Sequence, residues 1–227
     1  LQRSLLKNAK KSVVTINGKF SNQPLHIRSF ENPCITKEEL ETGAEIGNEK
    51  KFTEPLTLLF VGRLSKEKGV DILLEMLANV GVQKRIKELV LVGEGDEKWY
   101  KTMSAQLPFS VYFVGGLLRN QLNEWYAKAH ILILPSKSEG FPKVVAEAAA
   151  YGCVPVVSDV FAISQYIDKS NGLLFSTLDP IEMAKEFETL ISNTIVLKER
   201  SVNILKMAYS FTYANYIRRV HNEILLK

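Results

Sequence analysis

The sequence predicts an α/β protein with a Rossmann-like, doubly wound parallel sheet of about six strands. From Leu56 onward, short apolar runs of strand length alternate with segments that have the hydrophobic period of a helix. The apolar runs are nearly continuous, as expected of strands that helices cover on both faces. Strands and helices that alternate in this way form the crossover units of one parallel sheet.

Each element follows from a local pattern. The strands are predicted at Thr57–Val61, Leu89–Val92, Val111–Val114, Ile131–Leu134, Val154–Val157 and Gly172–Phe175. Between the first two strands, Val70, Leu73, Leu74 and Leu77 recur at helical spacing, and further helices are predicted over about 96–106 and 120–129. Another helix is predicted to begin at Pro142, whose missing N–H would have no partner in a first turn, and to end before Gly152.

The first 52 residues differ in character from the rest. They contain a basic patch, Lys7–Lys11, then a β-like run, Ser12–Ile16, and an Asn17-Gly18 turn. The polar stretch Thr36–Lys51 has the composition of a loop and is interpreted as a linker. Because the chain starts at Leu1 with no initiator Met and no signal-like segment, we expect it to be a piece of a longer protein.

Composition excludes several classes of protein. With 46% hydrophobic and 24% charged residues, the chain is globular rather than disordered. Its net charge of +4 is modest and scattered, which predicts no nucleic-acid partner. No apolar run approaches the roughly 20 residues that span a bilayer. Cys34 and Cys153 lie in apolar settings, which favours buried free thiols and a cytoplasmic protein; any membrane association is expected through the missing part.

Several cofactor motifs are absent from the sequence. Gly93-Glu94-Gly95 lacks the third glycine of a dinucleotide fingerprint, and no GxxxxGK[ST] phosphate loop is present. There is no DxD pair and no cluster of His or Cys at metal-ligand spacing, so we expect no metal. His26, His130 and His221 are isolated, and His130, at a strand start, is interpreted as structural.

Three strand-to-helix corners carry glycine, and a fourth carries acids. The glycines at Gly62, Gly93 and Gly115 let a ligand approach the main chain, although turn geometry alone also selects glycine at such corners. The stretch SEGFPKVVAEA places Glu139 before a Gly-Phe-Pro corner and Glu147 within the helix that follows. Open parallel sheets bind their ligands at corners of this kind.

The segments FVGRLSKEKG, LVGEG, VYFVG and PSKSEGFPKVVAEAAAYGCVPVV resemble the C-terminal domain of the group 1 (family 4) retaining glycosyltransferases of GT-B architecture. The resemblance covers about residues 55–192 and depends on the combination of segments. The Glu-x7-Glu spacing is not specific by itself, because Glu31/Glu39, Glu41/Glu49 and Glu67/Glu75 also have it. Only Glu139/Glu147 has the flanking Pro-Ser, Gly-Phe-Pro and Gly-x-Pro-Val segments.

The resemblance implies transfer of a sugar from a nucleoside diphosphate to an acceptor with retention of configuration and without a metal or other cofactor. It implies that Arg63 and Lys68 hold the diphosphate, that Glu139 accepts from sugar hydroxyls and Glu147 from the ribose, and that the base lies against the Phe113–Gly116 corner. Both glutamates are expected to be kept ionised by the positive end of the helix. The implied donor-binding set is Gly62, Arg63, Lys68, Phe113, Gly115, Glu139, Gly140, Phe141, Pro142, Lys143, Val144 and Glu147, with Arg63, Lys68 and Glu139 as the catalytic residues.

The resemblance also implies that the chain has three parts. Residues 1–52 would be a remnant of an N-terminal acceptor domain with the linker, residues 53–208 the nucleotide-sugar domain, and residues 209–227 a helix that crosses back toward the N-terminal domain. One segment departs from the family: where it usually has Gly-Gly-x-Pro-Glu after Ser158-Asp159, this chain has Val160-Phe161-Ala162-Ile163-Ser164. That departure leaves the donor sugar open, and the missing domain leaves the acceptor open.

The predicted site residues also have simpler interpretations. Arg63 and Lys68 could be a solvated loop balanced by Glu67 and Asp71, and Glu147 could serve only the electrostatics of its helix. Trp125 and Tyr126, and the aromatic residues 209–213, are interpreted as packing rather than as ligand-stacking groups. A non-catalytic nucleotide-sugar binding module and a GT-B-type epimerase or phosphorylase are the alternative functions.

Overall fold

The structure is a computed structural model that describes residues 12–53 and 55–226, so the basic patch Lys7–Lys11 lies outside the described residues. The strands are β1 Val14–Ile16, β2 Ile27–Ser29, β3 Leu56–Val61, β4 Ile86–Val92, β5 Ser110–Gly115, β6 Ile131–Leu134, β7 Val154–Ser158 and β8 Leu173–Phe175. The helices are α1 Lys37–Glu49, α2 Val70–Ala78, α3 Glu97–Ser104, α4 Arg119–Lys128, α5 Lys143–Ala150, α6 Pro180–Ile191, α7 Thr194–Ala208 and α8 Tyr213–Val220. A π-helical turn, His221–Leu225, follows α8. None of the helices within the described ranges is long and apolar enough to cross a membrane.

The main sheet confirms the predicted fold class. Its six strands are all parallel and lie in the order β5-β4-β3-β6-β7-β8. Every residue of β3, β6 and β7 is buried, which explains why the apolar runs do not alternate. The chain builds outward from β3 to β5 and then returns to place β6 on the other side of β3. The sheet therefore has its topological switch point between the carboxyl ends of β3 and β6, where open α/β sheets bind ligands.

The loop conformation predicted for Thr36–Lys51 is wrong, because Lys37–Glu49 forms helix α1, and the role of this segment as a linker between domains stays a prediction. Its start has a capping box: the Thr36 hydroxyl accepts from the Glu39 N–H at 3.1 Å, and the Glu39 carboxylate accepts from the Thr36 N–H at 2.7 Å. Gly43 and Gly47 are the buried residues of the helix. A Cβ at Gly43 would lie 2.5 Å from the carbonyl oxygen of Ala150, so the helix packs closely by means of its smallest residues.

Polar groups buried beside β6 hold the end of α4 in place. The Lys50 ammonium is buried and donates to the carbonyl oxygens of Tyr126 and Ala129, the last turn of α4. His130 accepts from the Thr57 N–H at 3.0 Å through Nδ1, and its Nε2 lies 3.0 Å from the carbonyl oxygen of Lys51. Burial lowers the pKa of His130 to about 4. The predicted structural role of this histidine is confirmed.

The two ends of the described chain lie together. β1 and β2 pair as a two-stranded parallel sheet. Phe30, which follows β2, packs edge-on against Tyr216 of α8 at 5.6 Å, and the Arg219 guanidinium lies 4.3 Å from the centre of its ring. Arg219 also forms an ion pair with Glu31. The division of the chain at residues 52 and 208 stays a prediction, and these contacts show only that its first and last parts associate.

Candidate active site

The corner after β3 is pressed against the corner after β6. Ser65 accepts from the Lys68 N–H and caps a 3₁₀ turn, Lys66–Lys68. Gly69 follows with a φ of +71°, and a Cβ there would lie 2.0 Å from the carbonyl oxygen of Pro135, so only glycine fits. The Lys137 N–H donates to the Glu67 carbonyl at 2.9 Å and joins the two corners.

This packing brings two of the predicted catalytic residues into contact. The Lys68 ammonium bonds directly to Oε1 of Glu139, and the Ser136 hydroxyl donates to the same oxygen at 3.1 Å. The Lys68 side chain is 32% exposed and that of Glu139 is 16% exposed, so both remain within reach of a ligand. The partner of Lys68 is therefore an acid across the switch point, rather than its sequence neighbours Glu67 or Asp71.

Arg63, the third predicted catalytic residue, stands apart. It follows Gly62 at the carboxyl end of β3, and its side chain is exposed. It forms no hydrogen bond or ion pair with any residue of ranges 12–53 and 55–226. Of the two cations predicted to be catalytic, Lys68 is thus paired with an acid and Arg63 is available.

The glycines at the sheet edge serve two different purposes. At Gly93, a Cβ would lie 1.8 Å from the carbonyl oxygen of Gly62, so this glycine is required for the ends of β3 and β4 to meet. At Gly115 and Gly140, a Cβ would have no neighbour within 4 Å. Both predicted site glycines therefore face open space; the φ of +77° at Gly115 itself favours glycine, whereas neither the packing of the described residues nor the backbone conformation explains Gly140.

The Gly-Phe-Pro corner is anchored by its aromatic ring. Phe141 stacks on Phe211 with ring centres 4.4 Å apart and meets Tyr166 edge-on at 4.8 Å. The predicted packing role of Phe211 is confirmed, and Phe141, predicted to bind donor, packs in the same cluster. Helix α5 then begins at Lys143 with Pro142 as its N-cap, and no side chain caps its first N–H groups. Those groups are available to an anion.

Glu147 lies in a second cluster, on α5. Its Oε1 accepts from Nη1 of Arg119 at 3.1 Å, and its Oε2 accepts from the Tyr126 hydroxyl at 3.1 Å. The Glu147 side chain is only 11% exposed. Burial is the largest influence and raises the pKa of Glu147, while Arg119 acts in the opposite direction. The raised pKa runs against the direction expected from the positive end of the helix, which begins a full turn away at Lys143, and the expectation that this end keeps Glu147 ionised stays a prediction.

Sequence reasoning missed Arg119, the first residue of α4. Its position in the sequence does indicate acidic partners, because a cation at a helix N-terminus opposes the helix dipole and needs nearby acids to be stable there. Tyr126 was predicted to pack in the core, and its 1% exposure confirms this, although its hydroxyl also contacts Glu147. The Phe113 ring lies 5.6 Å from the Lys101 ammonium, and the placement of a base at this corner stays a prediction. Within the described ranges, no three His, Cys, Asp or Glu side chains converge as metal ligands.

The chain is an α/β protein with a doubly wound sheet, and cations and acids lie at its switch point, the edge at which open sheets of this class bind ligands. The particular family follows from a direct match: residues 55–193 match the family model for group 1 glycosyl transferases. The match covers more than half of the chain. The chain therefore belongs to the group 1 glycosyltransferases.

Individual relatives agree with the family. An uncharacterized glycosyltransferase of Haemophilus influenzae is 34% identical over 146 residues, which are 62% of this chain and 40% of that protein. An α-1,4-N-acetyl-D-galactosaminyltransferase of Campylobacter jejuni is 29% identical over 175 residues, which are 74% of this chain and 46% of that protein. The chain thus spans less than half the length of these relatives.

The fold is shared with solved glycosyltransferases. The structure of Anabaena HepE in complex with UDP matches 99% of this chain and 67% of that one with a TM-score of 0.74. The sequence identity is 20%, so the match shows a common GT-B-type fold.

Proposed function

We propose that this chain is the donor-binding half of a retaining glycosyltransferase that uses a nucleoside diphosphate sugar without a metal. The observation that carries the proposal is the contact between Lys68 and Glu139 at the switch point, together with the exposed Arg63 after the carboxyl end of β3. A diphosphate needs cations and a sugar needs hydroxyl acceptors, and this corner offers both within one hydrogen bond of each other.

The reaction develops negative charge on the leaving group. The bond between the anomeric carbon and the diphosphate breaks, a bond from an acceptor hydroxyl forms on the same face, and the hydroxyl proton passes to the departing phosphate oxygen. Arg63, Lys68 and the uncapped N–H groups of α5 would stabilise that oxygen in place of a metal. Retention and metal independence are parts of the proposal that rest on this arrangement and on the family resemblance.

The ion pair suggests how the empty and loaded states differ. Without donor, Lys68 and Glu139 neutralise each other, and the Ser136 hydroxyl completes the cluster. A bound donor would offer a phosphate to Lys68 and sugar hydroxyls to Glu139. The carboxylate would then exchange a bond from an ammonium for bonds from hydroxyls, and its charge would remain balanced by the nearby cations.

The relatives suggest the first ligands to try. HepE was solved with UDP and with UDP-glucose, and the Campylobacter relative is named for transfer of N-acetylgalactosamine. We therefore propose UDP and UDP-glucose as starting probes, followed by GDP and ADP and their sugars. Because the chain spans less than half of its relatives, we also propose that a domain outside it binds the acceptor.

Calorimetry with uridine, UDP and UDP-glucose tests the proposal. Lys68→Ala should weaken UDP about ten- to a hundredfold and leave uridine nearly unchanged, since a charge-assisted bond contributes about 1.5–3 kcal/mol. Glu139→Ala should weaken UDP-glucose while sparing UDP. Lys66→Ala removes an exposed charge from the same turn and is the matched control, expected to change affinity less than threefold.

Two further outcomes decide the finer points. Binding should survive EDTA, and a tenfold loss with chelator would refute the metal-independent assignment of Arg63 and Lys68. The chain alone should bind donor without transferring sugar, and robust transfer to an added acceptor would refute the need for a further domain. If no nucleoside diphosphate or its sugar binds, the proposed function itself fails.

A further inference from the structure

Arg119 is held by more groups than any other cation of the candidate site. Its Nε and Nη2 donate to the two carboxylate oxygens of Glu39 at 3.2 and 3.1 Å, and Nη2 also donates to the carbonyl oxygen of Cys34. Nη1 donates to Oε1 of Glu147 at 3.1 Å. These four bonds use all but one of the guanidinium N–H groups. The remaining N–H is on Nη1, next to Glu147.

The Glu147 carboxylate can accept further hydrogen bonds. Each of its oxygens accepts one hydrogen bond, from Arg119 and from Tyr126, and a carboxylate oxygen can accept two. The Arg119 side chain is 41% exposed, although Glu147 and Glu39 are only 11% and 17% exposed. The cluster therefore retains one N–H donor on Arg119 and, next to it, acceptor capacity on Glu147.

A vicinal diol is the chemistry that fits this pattern. Each hydroxyl both donates and accepts, so one can donate to the carboxylate while its neighbour accepts from the guanidinium. Arg119 begins α4, directly beyond the β5 corner, and Glu147 lies on α5. Both elements follow the carboxyl edge of the sheet, on which the diphosphate site also lies.

We propose that Arg119 is a further determinant of ribose recognition: it orients Glu147, to which the family resemblance already assigns the ribose, and donates its remaining N–H to a sugar hydroxyl. This rests on the proposed function, since it assumes that a nucleotide occupies the site. Binding of the ribose would explain why Arg119 occupies a helix N-terminus, where the helix dipole disfavours a cation by about 0.3–1 kcal/mol. Glu39 and the Cys34 carbonyl hold the other side of the guanidinium, so that it cannot swing away from Glu147.

The electrostatics of the cluster make the proposal sensitive to pH. Glu147 is faced by Arg119 and Tyr126 from α4, by Glu39 from α1, by the Cys34 thiol and by Lys143 of its own helix. Burial and Glu39 raise the pKa of Glu147, and Arg119 is the largest influence that lowers it. Without Arg119 the carboxylate takes up a proton at a higher pH. A protonated Glu147 accepts fewer bonds from hydroxyls, so ribose recognition is lost as the pH falls.

Calorimetry with UDP, GDP, ADP and their 2′-deoxy forms tests this at pH 8 and at pH 6. For the nucleotide that the wild-type chain binds most tightly, we expect the 2′-deoxy form to bind about ten- to a hundredfold more weakly. Arg119→Gln should reduce that ratio to threefold or less and weaken the ribonucleotide more at pH 6 than at pH 8, relative to wild type. Arg119→Lys, which keeps the charge with fewer donors, should give an intermediate ratio.

Glu39→Gln is the matched control, because it loosens the far side of Arg119 and leaves its bond to Glu147. In this variant, the logarithm of the ratio between the affinities for the ribonucleotide and for its 2′-deoxy form should be at least half of the wild-type value. If wild type discriminates ribose and both Arg119 variants, shown to be folded by thermal melting, discriminate equally well, this inference is overturned and the proposed function stands. If wild type binds no ribonucleotide at all, the proposed function fails and this inference fails with it.

Discussion

At the scale of single residues, Phe161 shows how a departure from the family pattern is accommodated. It has a φ of +52°, a left-handed conformation that is rare for a bulky residue, and its side chain is 73% exposed. By resemblance, the family carries glycine in this segment after β7. The backbone at Phe161 therefore has a conformation that glycine would adopt at lower cost.

Phe161→Gly should stabilise the chain. Relief of the left-handed conformation recovers about 1–2 kcal/mol, and the added freedom of glycine in the unfolded chain costs about 0.5–1 kcal/mol. We expect the free energy of unfolding in urea to rise by about 0.5–1 kcal/mol. Phe161→Ala removes the same exposed ring and retains the strain, so an equal gain from both variants would show that the ring, and not the backbone, is the cause.

Lys68 and Glu139 illustrate which features of the site local sequence patterns can predict. Their flanking segments predicted both as site residues, and the structure places them in contact. The same patterns said nothing about Arg119, since its partners Glu39 and Glu147 lie 80 and 28 positions away. A contact of that separation depends on how α1, α4 and α5 pack, which no local spacing encodes.

At the scale of elements, helix α1 is the main failure of the sequence interpretation. Its polar composition is typical of a loop, but its inward face is made of Gly43 and Gly47. Glycine disfavours an isolated helix by about 1 kcal/mol, so propensity also argued against it. The Thr36-x-x-Glu39 capping box was the one available signal of a helix start.

Gly43→Ala should destabilise the chain although alanine is the better helix former. The added methyl would lie 2.5 Å from the backbone oxygen of Ala150, which cannot move without shifting α5. Overpacking costs about 1–3 kcal/mol and outweighs the gain in helix propensity. We expect a net loss of about 1–2 kcal/mol in urea unfolding. Thr42→Ala, an exposed neighbour on the same helix, should be neutral or slightly stabilising, and a gain from Gly43→Ala would contradict the close packing of α1.

At the scale of the whole molecule, the first and last described segments are held to each other chiefly around Phe30, which is 3% exposed. Tyr216 and Arg219 of α8 contact its ring, and the Cys34 N–H donates to the Phe211 carbonyl at 2.9 Å nearby. If residues 53–208 form a domain by themselves, as predicted, these contacts can be loosened without loss of the main sheet.

Phe30→Ala tests that division. Truncation of a buried Phe costs about 3–5 kcal/mol, and we expect the loss to be local. Hydrogen exchange should show faster exchange in β1, β2 and α8 and unchanged protection in β3, β4 and β6. Leu25→Ala removes an apolar side chain that is 86% exposed in the same segment and should change neither region. Faster exchange spread equally over the main sheet would show one cooperative unit instead.

The six-stranded parallel sheet can be predicted from the sequence, because nearly continuous apolar runs such as β3 and β6 are stable only when helices bury both faces. The resemblance of the sequence to a family also predicts which corners carry the site. Three features are seen only in the tertiary structure: Lys68 bonds Glu139, Arg119 bonds both Glu39 and Glu147, and the polar segment Lys37–Glu49 is a helix. Those outcomes depend on burial and on distances between segments remote in sequence, and local composition contains neither.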